Sequence, residues 1–184
     1  MAYSDNLLLN SSGDFGTLNW TVQNVDTTAG GSTGNFSFRM QPTASMQQTI
    51  TFETSPPDIQ FDADYWLEPV TGTPSANART QIVLKLAFDD DTFDTYIYPC
   101  IGTASDWHAV RETITFGTRD EDKKLTAATV IVTTVEAGAN VLIDGLAVRQ
   151  DESATPPVNT GKYDDFWDNA VSYGLDKDKP LLGG

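Results

Sequence analysis

A single cysteine, Cys100, stands in 184 residues, so no intramolecular disulfide can form and packing alone must hold the fold. There is likewise one histidine, His108. No glycine-flanked nucleophile motif surrounds either residue, and Cys100 reads as a small buried hydrophobe near a strand end. No stretch approaches the roughly 20 apolar residues of a membrane span. The N-terminus, Met-Ala-Tyr-Ser-Asp-Asn, lacks a basic segment followed by an apolar run, so a chain made and folded in a cytoplasm, with no secretory signal, is expected. Basic residues are also scarce, 11 against 26 acidic ones, for a formal net charge of -15. A surface of that sign repels phosphate backbones and anionic headgroups, which excludes nucleic acid and membranes as expected partners. Phosphate-binding glycine loops, zinc-ligand spacings, nucleophile elbows, internal repeats and heptads are missing too. Carboxylate pairs occur throughout so acidic a chain, and Asp89-Asp90-Asp91 reads as a turn. No catalytic residue is assigned, and the chain is read as not an enzyme.

What is present is alternation. Ile59, Phe61, Ala63, Tyr65 and Leu67 occupy every second position, as do Ile82, Leu84, Leu86 and Phe88. Phe36, Phe38 and Met40, then Met46, Gln48, Ile50 and Phe52, and later Val110, Glu112, Ile114 and Phe116, repeat the pattern. Residues 129–135 are β-branched and nearly continuous in apolar character. The acidic triplet makes a hairpin of the strand ending at Phe88 and the one over 93–98. Residues 26–34, rich in glycine and hydroxyls, and 71–78 read as loops. About eight or nine short, evenly spaced strands with no helix before residue 150 predict an all-β sandwich. The last of them, residues 139–150, leaves no polar face at Val141, Leu142 and Ile143 and resumes with Leu146 and Val148, as a strand covered on both sides does. Asp144 interrupts it. A carboxylate there must find backbone donors, a cation or a metal, because burying it unpaired costs several kcal/mol.

The two ends of this region carry a resemblance. An opening segment read as a strand, Asn6-Leu7-Leu8, then Gly13-Asp14-Phe15, then Trp20, closed far downstream by Ile143-Asp144-Gly145-Leu146-Ala147-Val148, resembles the galactose-binding-like jelly roll of many carbohydrate-binding modules. It implies a jelly-roll β-sandwich over residues 1–150. It also implies aromatic side chains stacking on sugar rings, for which Trp66, Tyr96, Tyr98 and Trp107 are the candidates. Modules of this type often hold a structural calcium near their termini, which places Asp14 and Asp144 as candidate metal ligands; no other cofactor is expected. The family usually has Glu just after the Phe, where this chain has Gly16.

Residues 151–184 lie outside the sandwich pattern. A polar linker containing Pro156 and Pro157 leads to Asp164 and Asp165, then Phe166, Trp167, Ala170, Val171 and Tyr173, with Gly174 at the close, which predicts a short helix. A helix of about ten residues is marginal alone in water and needs a surface, either its own sandwich or another subunit. Phe166, Trp167, Val171, Tyr173, Leu181 and Leu182 are therefore the expected docking residues of a C-terminal tail. With no export signal, a sandwich of a kind usual in binding proteins, an outward-facing negative charge and this apolar tail, the leading expectation is a virion protein. It would be a bacteriophage capsid decoration or cement protein, homo-oligomeric, binding the shell and neighbouring copies. The alternative is a non-catalytic carbohydrate-binding module that takes host-surface glycans.

Overall fold

The computed structural model describes residues 6–67, 80–102, 106–115, 123–134 and 141–150. The expected tail, with Phe166, Trp167, Val171, Tyr173, Leu181 and Leu182, lies outside them. Eight strands follow in order: β1 (Thr21–Ala29), β2 (Phe36–Thr51), β3 (Asp58–Leu67), β4 (Thr80–Phe88), β5 (Phe93–Pro99), β6 (Trp107–Thr115), β7 (Leu125–Thr134) and β8 (Val141–Gln150). All pairings are antiparallel, in the order β5-β4-β7-β2-β8-β3-β6, with β1 on the other edge of β2. The fold is the expected jelly-roll β-sandwich.

The 16-residue β2 makes two layers out of one chain of pairings. Its C-terminal half, from Ser45, pairs with β7, and its N-terminal part, Phe38 to Met40, pairs with β8. The corner between them carries Thr43 at φ 60°, facing Asn24 at φ 53° on β1, where the β1–β2 register slips; Asn24 Nδ2 donates to Thr43 Oγ1 at 3.1 Å. One layer is then β5-β4-β7 with the end of β2, the other β8-β3-β6 with its start. They meet face to face: the rings of Phe61 on β3 and Tyr98 on β5 lie 5.5 Å apart, and Tyr65 Oη donates to the Ile101 carbonyl at 2.7 Å. The alternating residues read from the sequence fill the space between, with Phe38, Phe61, Met46, Leu84 and Ile143 among the fully buried side chains. Cys100 is buried there as well, and burial pushes its thiol up to about 12, so it sits as an inert hydrophobe.

Two segments depart from the sequence reading. The opening Asn6–Phe15 is not a strand. It lies beside β8 beyond the point where β2 stops, and holds there with its Asn6 side chain: Nδ2 donates to Leu146 O at 2.9 Å, while Oδ1 accepts from Val148 N at 3.1 Å. Leu7 N donates to Val148 O at 2.8 Å, and Leu8 drops into the core. The similarity of the two ends is thus a physical contact between them. Conversely, the first four residues expected as a loop over 26–34 continue β1, an edge strand whose one deeply buried side chain is Val25.

Candidate functional site

Strand β8 has to change phase to keep its apolar residues inside. Gly145 does this: its φ of 57° lets it stand as the extra residue of a bulge between the pairs Asp62–Ala147 and Asp64–Asp144. Ile143 and Leu146 then both face the core, and Asp144 faces the opposite side of the sheet. There the β1–β2 loop folds over it. Asp144 is fully buried. Its Oδ2 accepts from Thr33 N at 2.8 Å, Ser32 Oγ at 3.1 Å and Thr33 Oγ1 at 3.2 Å. Ser32 Oγ also lies 2.7 Å from Asp64 Oδ2, whose other oxygen meets Arg111 Nη2 at 2.5 Å; Arg111 also reaches Asp62, which Arg149 holds from β8. Loop, β8, β3 and β6 are clasped together by this set. Burial pushes the Asp144 carboxyl up, with the Thr33 and Gly145 amides and the Ser32 hydroxyl drawing it part of the way down.

Asp144 Oδ1 is buried and has no partner. A carboxylate oxygen left so is a costly feature unless something cationic meets it. The expected calcium can be tested against its surroundings. A carbon placed on Gly31 would lie 2.6 Å from Asp144 Oδ2, 2.8 Å from the Phe36 carbonyl and 3.1 Å from the Gly34 carbonyl, and one placed on Gly34 would lie 2.9 Å from Asp14 Oδ2. Oxygens therefore converge where a side chain is excluded, which suits a hard cation that takes oxygens at about 2.3–2.6 Å. No group of three or more His, Cys, Asp or Glu side chains suited to a metal occurs among the described residues, so the cation would depend on Asp144 together with main-chain carbonyls. Asp14 stands at the rim of this cradle, accepting from Ser12 Oγ at 2.9 Å.

The four candidate aromatics divide. Tyr96 and Tyr98 point inward from β5 against the core; Tyr98 Oη is buried with no partner, and burial pushes that phenol up to about 12. A buried hydroxyl without a partner stabilises nothing. Tyr98→Phe is expected to melt at the wild-type temperature or up to about 1 kcal/mol more stable, measured by calorimetry, with no effect on ligand binding. Trp66 and Trp107 are brought together instead. They are directly opposite each other on β3 and β6, on the face away from the core, in a cross-strand row that continues through Leu142, Arg39 and Asp26. Trp107 is 36% exposed and Trp66 half-buried. The row lies two residues along from the Asp64–Asp144 pair, so the clasped loop borders it. On the other layer a face missed in the sequence is exposed: Ile97, Val83, Ile131, Gln47 and Thr21 form one cross-strand row over five strands, with Phe93 two rows away.

No family model matches the chain, and no curated protein matches it. Solved structures do match its fold. "Family 16 Carbohydrate Binding Module-2" aligns with TM-score 0.60 at 15% identity, over 78% of this chain and 99% of that one. A family 61 module, titled "Structure of TmCBM61 in complex with beta-1,4-galactotriose", aligns with TM-score 0.53 at 15% identity, over 80% of this chain and 100% of that one. The enzymatically active domain of bacteriophage CBA120 tailspike protein 4 aligns with TM-score 0.56 at 17% identity; 78% of this chain is covered, but only 21% of the tailspike chain. At these identities the likeness is one of fold.

Proposed function

We propose that this chain is a carbohydrate-binding module whose sugar platform is the Trp66–Trp107 pair. The observation that carries the reading is the placement of two tryptophans side by side on the solvent side of a rigid sheet, where packing against the core does not require them. Indole faces give a pyranose ring broad apolar contact at small entropic cost, and flanking polar groups fix its orientation. Arg39 continues the row toward Asp26, and the loop at Ser32 and Thr33 borders it. A net charge of -15 favours neutral saccharides over anionic ones. The fold supports the same reading, since modules of this shape include one solved with β-1,4-galactotriose. The cation expected at Asp144 belongs to this proposal as a structural element: with the Gly34 and Phe36 carbonyls it would tie the bordering loop to β8.

Binding without turnover is the reading proposed, although a fifth of the chain of an enzymatically active tailspike domain aligns with this fold. A place on a capsid shell draws no support from the described residues, and the assembly residues assigned to it lie beyond them. Electrophoresis through gels containing neutral polysaccharides tests the proposal: retardation in at least one, absent from a plain gel, is the expected result, and unretarded migration in all of them counts against it.

A further inference from the structure

The outer face of β5-β4-β7-β2 is unusual for this protein. Its four cross-strand rows consist of threonine, glutamine, serine, alanine, proline and aliphatic residues with Phe93, Lys85 being the charged side chain and no carboxylate standing in any row. The chain as a whole carries 26 acidic residues. Phe93 is 58% exposed and Ile97 54%, next to the half-buried Val83 and Ile131. Lys85 Nζ sits 4.1 Å over the Phe93 ring. Loss of charge around exposed apolar residues is the composition of a covered surface, not of a solvated one.

We propose that this face seats the chain's own C-terminal segment through Phe166, Trp167, Val171 and Tyr173. Three features select that occupant. Phe166, Ala170 and Tyr173 recur at i, i+4 and i+7, and Trp167 with Val171 at i, i+4, so the run offers one apolar stripe of helical spacing. Between Asp164 and Tyr173 the charges are all acidic, Asp164, Asp165 and Asp168. On the opposite sheet face Arg111 and Arg149 are already paired with Asp62 and Asp64, whereas this face presents Lys85 with no carboxylate in its rows. Finally, the chain leaves β8 at the correct end. Gln150 pairs with Ile59 at the start of β3, four residues beyond Ser55, whose hydroxyl accepts from Leu125 N at the start of β7. Phe93 and Ala87 lie at that same end, with Ala127. The 15 residues between Gln150 and Phe166 can extend to about 50 Å, enough to round a sandwich whose layers pack about 10 Å apart.

The test is amide hydrogen exchange of residues 163–173 in the full chain, with the solution mass by light scattering. The segment should be protected in a monomer. Phe93→Asp with Ile97→Asp, two surface changes that leave the core intact, should raise its exchange about tenfold or more. Trp167→Ala should reciprocally raise exchange over Phe93–Pro99 without lowering the melting temperature of the sandwich. Unprotected exchange in the wild type, or protection indifferent to both variants, overturns the proposal. Protection that disappears on dilution together with a dimeric mass overturns it too, because the occupant is then a second copy.

Discussion

Asp144→Ala is expected to lower stability by about 2–4 kcal/mol, the order found when a buried charge-assisted cluster loses its centre. In a domain of this size that is a fall of roughly 5–15 °C in melting temperature. The deleted carboxylate is what the loop is folded around. Without it, the Thr33 amide and the two hydroxyls at Ser32 and Thr33 lose their acceptor. Asp64, still fixed by Arg111, retains the Ser32 hydroxyl, so the loop should loosen rather than the sheet open. Calcium adds a second readout. Scanning calorimetry of the wild type should show a melting temperature that rises with calcium and falls with chelator, and Asp144→Ala should remove that difference. Asp144→Ala as stable as the wild type would mean the clasp is incidental. A wild-type protein insensitive to calcium, with the variant still destabilised, would mean that the protein donors alone hold the loop.

Trp66→Ala and Trp107→Ala are each expected to weaken glycan binding roughly 10- to 100-fold, while leaving the fold intact. Aromatic anchors at the centre of a contact usually dominate its energy, and each tenfold corresponds to about 1.4 kcal/mol. The sheet should tolerate both changes because neither ring fills the core: Trp107 is among the exposed large hydrophobics, and the interior of β3 is filled from the other face by Ile59, Phe61 and Tyr65. Titration by intrinsic fluorescence reports both quantities, and loss of affinity with an unchanged melting curve is the expected pair of results. Arg39 lies in the same row and should contribute less, through orientation rather than area.

The residues explain which parts of this account were legible from the chain. Strands β3 and β4 could be read because every second side chain is apolar and those positions are buried from Ile59 to Leu67 and from Ile82 to Leu86. The two halves of β2 read as separate strands because the corner at Thr43 breaks alternation without breaking pairing. Strand β1 was missed for a different reason. Its buried partner is one valine, and its polar threonines and glutamine satisfy an edge position where packing makes few demands. The opening segment reads as a strand because Leu7, Leu8 and Leu9 form an apolar run, yet its attachment to β8 runs through an asparagine side chain that imitates a ladder rung.

The site divided along similar lines. Asp144 was recognisable as anomalous from sequence, since a carboxylate in an apolar run must be answered chemically. The answer was not: it comes from Ser32 and Thr33, more than a hundred residues away, and from a phase change at Gly145 that only the pairing reveals. Trp66 and Trp107 were candidates alongside Tyr96 and Tyr98. Parity decides among them, because β5 turns its tyrosines inward and Phe93 and Ile97 outward, and nothing in a seven-residue strand with bulky residues on both faces states which way it is mounted. The exposed Phe93–Ile97 face was invisible for the same reason.

The most direct test of the central claim is a glycan array probed at one concentration with the wild-type chain and with the Trp66→Ala/Trp107→Ala double variant. The account predicts signal from the wild type on at least one neutral saccharide and its loss in a double variant that still melts cooperatively. A flat array for the wild type, or wild-type signal retained by the double variant, would contradict it.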